Sequence, residues 1–187
     1  KQIHYLHRIA GNVERITRFI DSLKRIHDLE TGTYRLKCEE YNLDDIIQQV
    51  ISDMEPIAEK NGVTIRYRPK RKKCVMPVEA QLMSGVFTNL ILNAVEHVAN
   101  LREPEGKIVT VDFRKERERC IIRINNKGEP VSPERLASFF EKFNSGKEKR
   151  QGAGLGTTYA YLAVKAHGGD VTVSSSRAEG TTVTVIL

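Results

Sequence analysis

No run of apolar residues in this sequence is long enough to cross a bilayer, and no stretch reads as a signal peptide. A cytoplasmic setting without membrane contact is therefore expected for this segment, which leaves a full-length protein free to be tethered elsewhere. Cysteine is scarce. Cys38, Cys74 and Cys120 are scattered, odd in number and without CxxC or metal-ligand spacing, which fits a reducing compartment. No internal repeat is visible. Acidic residues are outnumbered, 24 Asp and Glu against 30 Lys and Arg, for a net charge of +6. That balance points to anionic partners without naming them: nucleotide, nucleic acid, membrane surface or acidic protein. What remains is 187 residues, 40% of them hydrophobic, enough for one domain, or for one domain with a helical extension.

The chain begins inside a helical pattern. Leu6, Ile9, Val13, Ile16, Ile20 and Leu23 are spaced three and four apart, a heptad seam that Phe19 and Ile26 widen. A lone helix cannot bury that stripe, so a partner helix is expected, from upstream sequence, a second copy of the chain, or both. His4 and His7 fall off the seam and read as surface residues; His27, at its end, reads as packing. Gly32 should cap this helix. A short strand is expected over 33–38, then a helix from the Asn42 N-cap to about Lys60, bent or split at Pro56 and stopped by Asn61-Gly62. Val63, Ile65 and Tyr67 alternate as a strand. The basic run Arg68 to Lys73 reads as a solvated turn; as a nucleic-acid patch it lacks interleaved aromatics to stack on bases. A helix from Glu79 to about Ala99 follows, then strands over 108–113 and 120–124 joined by a hairpin at Lys115–Arg119. A short helix opens at Ser132-Pro133, another runs from Leu155 to Ala166, and strands over 171–175 and 181–187 close the chain. The expected fold class is α+β: one sheet with helices on one face, a two-layer α/β sandwich preceded by a long bundle-forming helix.

The residues that carry chemistry cluster around the helix over 79–99. Val86, Leu90 and Ala94 share one side of it, and Asn89 and Asn93, four apart, stack their amides on one face, with Glu96 or His97 a turn beyond. A carboxamide oxygen is a hard, neutral ligand suited to a Mg²⁺ that keeps water and phosphate oxygens as its other partners. Alone, two such asparagines are better explained as N-terminal-turn or surface residues. Asn125-Asn126-Lys127-Gly128 follows directly after a strand. Gly128 lets backbone approach a flat ligand, and the Asn126 oxygen can accept from an adenine amino group, although the segment is also an ordinary Asx turn. Gly152-Ala153-Gly154-Leu155-Gly156 starts a helix with free backbone N–H groups, an anion site fit for phosphates. It is no P-loop, since GK[ST] is absent, and no dinucleotide fingerprint, since no strand precedes it directly. Ahead of it, Lys147, Lys149 and Arg150 lie in a polar loop able to lay cations on phosphates.

Taken in order, Asn89–His97, Asn126-x-Gly128, Phe139-Phe140-Glu141-Lys142-Phe143, Gly152-x-Gly154-Leu155-Gly156 and His167-Gly168-Gly169 resemble the N, G1, F and G2 boxes of sensor histidine kinases. These belong to the Bergerat-fold ATPases, with DNA gyrase, the heat-shock chaperones and MutL. The resemblance covers the whole chain. It implies that residues 1–36 are the second helix of the dimerisation and phosphoacceptor hairpin with its linker, and that residues 37–187 are the catalytic ATP-binding domain. It further implies ATP and Mg²⁺ as cofactors, with Asn93 the metal ligand and Asn89 its supporting, catalytic partner. His97 would pack near the nucleotide, Asn126 would stand where an aspartate recognises adenine, Gly128 would admit the base, and Thr181 would lie beside it. Lys147, Lys149 and Arg150 would belong to the ATP lid, and Gly152, Gly154, Leu155 and Gly156 would bind the phosphates. A response-regulator receiver domain, and a second copy joined through the N-terminal helix, are the implied partners; nucleic acid is not among them.

The chain departs from the family pattern at Asn126, where aspartate is usual, at Glu96, where lysine or arginine is common, at Pro130, which replaces the second glycine of its box, and at Thr157. No His-Glu or His-Asp pair, the usual phosphoacceptor signature, occurs in the sequence, so the accepting histidine is expected on a helix outside it. The resemblance therefore implies a protein histidine kinase that is not self-sufficient over these residues. The alternative is a catalytically degenerate scaffold or regulatory partner that keeps the fold.

Overall fold

The computed structural model describes residues 13, 17, 19–69, 73–101, 106–143 and 154–187. Leu6, Ile9 and Ile16 of the seam, His4 and His7, and the site candidates Lys147, Lys149, Arg150 and Gly152 lie outside them. Eleven elements follow a helical stretch over 19–30, here α1: β1 (Glu39–Asn42), α2 (Leu43–Lys60), β2 (Thr64–Pro69), β3 (Val75–Val78), α3 (Ala80–Ala99), β4 (Ile108–Glu116), β5 (Arg119–Asn126), α4 (Pro133–Ala137), α5 (Gly156–Ala166), β6 (Asp170–Ser176) and β7 (Gly180–Ile186).

Five strands form one mixed sheet in the order β2-β4-β5-β7-β6, parallel between β2 and β4 and antiparallel elsewhere. Because side chains alternate across a strand, the register stacks them in rows on the core face. Phe113, Ile122, Val185 and Val171 make one row; Val111, Ile124, Val183 and Val173 make the next. Helices α2, α3 and α5 cover this face, and α3, buried along Leu82, Met83, Val86, Phe87, Leu90, Ile91, Ala94, Val95 and Val98, lies at its centre. The opposite face carries Asp112, Arg123, Thr172 and Thr184. This is the two-layer α/β sandwich expected from the pattern. Among the described residues no helix is long and apolar enough to cross a membrane.

Several local expectations are corrected. Residues 33–38 are not a strand; β1 begins at Glu39 and pairs with β3 in a separate two-stranded ribbon. Side chains hold 33–38 instead: the Tyr34 hydroxyl and the Lys37 N–H both donate to the Glu79 carboxylate, at 2.6 and 3.0 Å. Helix α2 runs unbroken through Pro56. Proline removes one helical hydrogen bond, but Pro56 and Ser52, whose carbonyl loses its partner, are both exposed, so water satisfies that oxygen. His27 is exposed, and it is Ile26, beside the seam, that is 1% exposed within the core. Cys74 and Cys120, scattered in sequence, meet sulfur to sulfur in the core with Cα atoms 6.3 Å apart, the separation a disulfide spans.

One clamp fixes the helices that carry the site. Glu79, the N-cap residue of α3, uses its carboxylate for the linker, while its N–H donates to His167 Nε2 at 3.0 Å. The other ring nitrogen, Nδ1, lies 2.7 Å from the Ala163 carbonyl in the last turn of α5. A carbonyl only accepts, so Nδ1 carries the proton and Nε2 is the acceptor. The start of α3, the end of α5 and the linker are thereby joined.

Candidate functional site

The rows of the core face end in polar residues. Beyond Val111, Ile124 and Val183 come Asn126, Thr181 and Ser175, opposite one another on β5, β7 and β6. Asn126 is the last residue of β5 rather than part of a following turn, and is 5% exposed. Thr181 and Ser175 share a hydroxyl hydrogen bond of 2.8 Å, and Ser175 Oγ accepts the Val131 N–H at 3.0 Å, which pins the segment after Gly128 to the sheet. Asn125 points to the other side, where its amide bonds the Glu179 carbonyl and the Thr182 hydroxyl.

Helix α3 lies over this polar end. Its His97 places Nδ1 3.0 Å from Asn126 Nδ2. Gly128 sits directly against the same ring: its φ is +145°, and a Cβ there would lie 2.8 Å from His97 Cε1. Only glycine satisfies both the backbone angle and the approach. Two turns back along α3, Asn89 donates Nδ2 to the Gly85 carbonyl at 2.8 Å, which turns its Oδ1 toward the start of α5. A Cβ on Gly156, the first residue of that helix, would lie 2.6 Å from this oxygen. Asn93, one turn from each, is half-buried, and its amide makes no hydrogen bond to the described residues. Contacts at Asn89 and His97 are eight residues apart, about 12 Å along the helix. One helix face thus connects the Asn126, Gly128 and His97 cluster to a helix N-terminus at Gly156, with the Asn93 carboxamide, unbonded to the described residues, between them.

Of the residues singled out from the sequence, Asn89, Asn93, His97, Asn126, Gly128, Leu155, Gly156 and Thr181 are brought to this side of the molecule. Gly154 directly precedes Leu155, and its carbonyl accepts the Phe143 N–H at 3.1 Å. Phe143 is 61% exposed, whereas Phe139 and Phe140 pack edge to face, and Phe140 stacks on Tyr161 of α5. Lys142 next to them forms an ion pair with Glu30 of α1 at 2.6 Å. Sequence reasoning missed the Glu79 and Tyr34 clamp and the Ser175 to Val131 tie. Both are contacts between distant segments, without a local spacing that announces them. Among the described residues there is no group of three or more His, Cys, Asp or Glu placed to hold a metal.

Comparison with known proteins shows the family of the chain. Residues 79–187 match the family described as histidine kinase-, DNA gyrase B-, and HSP90-like ATPase. The chain is similar to the sensor histidine kinase WalK of Bacillus subtilis (strain 168), 27% identical over 183 residues, covering 95% of this chain but 29% of that protein. It thus spans under a third of that curated relative. Among solved structures, full-length ShkA in complex with AMPPNP superposes with a TM-score of 0.83 at 19% identity, over 97% of this chain and 37% of that one. The catalytic domain of histidine kinase ThkA does so at 0.69 and 19%, over 81% and 95%. With the matched segment reaching from the residue that caps α3 to the end of β7 and beyond, the chain belongs to the histidine kinase-, DNA gyrase B-, and HSP90-like ATPase family, as a histidine kinase catalytic ATP-binding domain.

Proposed function

We propose that this chain binds ATP with Mg²⁺ along the α3 face and presents the γ-phosphoryl group to a histidine on a helix outside these 187 residues, for onward transfer to an aspartate of a response-regulator receiver domain. The observation that carries this reading is the pairing of two contacts on one helix: His97 with Asn126 and Gly128 at one end, and Asn89 with Gly156 at the other. Asn126 Oδ1 accepts from the purine amino group, and Gly128 and Thr181 border the base. Gly154, Leu155 and Gly156 receive the phosphates on the N–H groups and partial positive charge of α5, and Gly152, Lys147, Lys149 and Arg150, outside the described residues, are assigned to phosphate binding on their residue chemistry alone. The donor set fits magnesium: a hard cation that keeps water and phosphate oxygens needs one neutral amide, and the Asn93 amide is half-buried and unengaged. When bound, the ion neutralises charge on the phosphate oxygens. Asn89, its own amide held by Gly85, keeps the start of α5 in place beside it.

Residues 1–36 serve as the second helix of a dimerisation hairpin and its linker, and residues 37–187 as the catalytic domain. The exposed Val13, Phe19 and Ile20 of the first segment, at 57%, 39% and 57%, support a homodimer through that helix. The setting is cytoplasmic. Titration calorimetry with AMPPNP and Mg²⁺ tests the reading. Micromolar binding is expected in the wild type, and Asn93→Ala should weaken it at least about tenfold in magnesium while changing little in EDTA, since about 1.4 kcal/mol of metal-mediated binding is at stake. No binding to the wild type, or equal binding by the variant in magnesium, overturns it.

A second reading, a scaffold without transfer activity, is favoured by Asn126, Glu96 and Pro130 standing where the family pattern has other residues. Radiolabelled ATP given to the chain joined to its upstream acceptor helix separates the two: label on histidine removes the scaffold reading.

A further inference from the structure

Asn126 is 95% buried at the end of β5, and how its amide is turned decides what it offers a ligand. The same nitrogen faces two neighbours, the Lys127 carbonyl at 3.2 Å and His97 Nδ1 at 3.0 Å. A backbone carbonyl only accepts, so the amide NH₂ must be on that side; the reverse orientation sets oxygen against oxygen. One N–H then serves Lys127 and the other is left for His97, which requires Nδ1 to be an unprotonated acceptor and the ring proton to sit on Nε2. Both donors of the amide are consumed. No described residue donates to Oδ1, and that atom is not among those sealed from solvent without a partner. At Asn126 a ligand therefore meets a hydrogen-bond acceptor and no amide donor.

A carboxylate at this position would need no such arrangement, since both its oxygens accept. An amide does, because a half-turn about its last bond replaces acceptor by donor. We propose that His97 is a positioning residue: it holds the Asn126 amide oxygen-outward, and so sets the choice of a purine bearing a 6-amino donor over one bearing a 6-oxo acceptor. The inference rests on the nucleotide reading above. It assigns to His97 the part that a carboxylate would play by symmetry, with Gly128 packed on the ring to keep it in place.

The experiment compares AMPPNP with its guanosine counterpart, GMPPNP, by calorimetry on the whole chain. The wild type should prefer the adenosine analogue by at least about a hundredfold, since a site built to hydrogen-bond a substrate N–H rejects a group lacking it by up to about 10⁴ to 10⁵. His97→Leu, which leaves the amide free to turn, should cut that preference by about tenfold or more. Adding Asn126→Asp to His97→Leu should restore it, because a carboxylate reads the same either way round. A His97→Leu chain with the preference intact, or a double variant without restoration, overturns the proposal. A general packing defect lowers affinity for both analogues and is not repaired by the aspartate. Should His97→Leu fail to fold, the ring ¹⁵N shifts of wild-type His97 decide: an Nε2–H ring with Nδ1 bare is expected, and an Nδ1–H ring overturns the inference. A wild type that binds neither analogue sinks the nucleotide reading itself, an outcome separate from a preference that survives His97→Leu.

Discussion

At the scale of single residues, the site is governed by close approach. Gly128 combines a φ of +145° with a ring 2.8 Å from where a Cβ would lie. Gly128→Ala must therefore either push His97 off Asn126 or rotate the backbone out of a region closed to L side chains, at a cost of about 1 to 3 kcal/mol. The expected outcome is a loss of AMPPNP affinity of about tenfold or more by calorimetry. Thr172→Ala, on the exposed sheet face, should leave affinity unchanged. The spacing of Asn89 and Asn93 was legible in the sequence, because a helix face follows from position alone. What lay hidden was the partner of each amide. Asn89 is held by a carbonyl one turn back, whereas Asn93 has no hydrogen bond to the described residues, and two asparagines of identical spacing thus fall into different roles.

At the scale of elements, α1 is tied to the sandwich by Ile26 in the core, by Leu23 and Leu29 packed against it, by the Lys142–Glu30 ion pair, and by Arg25 beside the Tyr159 phenol, whose pKa is raised chiefly by burial. The ion pair is half-exposed and contributes little, so the apolar contacts dominate, with Ile26 the most deeply buried of them. Ile26→Ala should cost about 3 kcal/mol in urea unfolding, whereas Ile20→Ala, 57% exposed, should cost under about 0.5 kcal/mol in the monomer. The paired cysteines act between two other elements. They join the loop before β3 to the start of β5 across 46 residues. Oxidation by glutathione disulfide, each thiol losing a proton and an electron to give the protein disulfide and two glutathione thiols, closes a loop whose entropy amounts to about 4 kcal/mol. Scanning calorimetry should show a melting temperature several degrees above that of the reduced chain, and Cys120→Ser should abolish the difference. The misplaced strand over 33–38 belongs to this scale too. Its alternation was real, but a side-chain tether from Glu79 replaced the ladder that the pattern implied.

For the whole molecule, alkaline pH reports on the clamp between linker and sandwich. The bond to the Glu79 carboxylate, with burial second, pushes the Tyr34 hydroxyl from 10.0 up to about 12. A raised pKa means that the fold favours the neutral phenol. The stabilisation is complete below the unfolded value of about 10 and disappears as pH climbs through about 12. Tyr67, raised by burial and by its bond to Asp44, acts in the same direction. Urea unfolding followed from pH 9 to pH 12 should thus show falling stability, with a shallower fall in Tyr34→Phe; identical slopes would remove Tyr34 from the clamp.

The sequence by itself determined the fold class and the order of the helices and of the five strands of the main sheet, though not the β1–β3 ribbon, because apolar period and turn residues act locally: the rows Val111, Ile124, Val183 and Phe113, Ile122, Val185 follow from alternation once strands are paired. It also marked the helix on which the candidate site stands. Tertiary structure alone decided which side chains meet. Asn126 and His97 are 29 residues apart, Tyr34 and Glu79 45, Glu79 and His167 88. No periodicity connects such positions, because a hydrogen bond between them exists only once burial of the α3 face has brought their elements within 3 Å of each other.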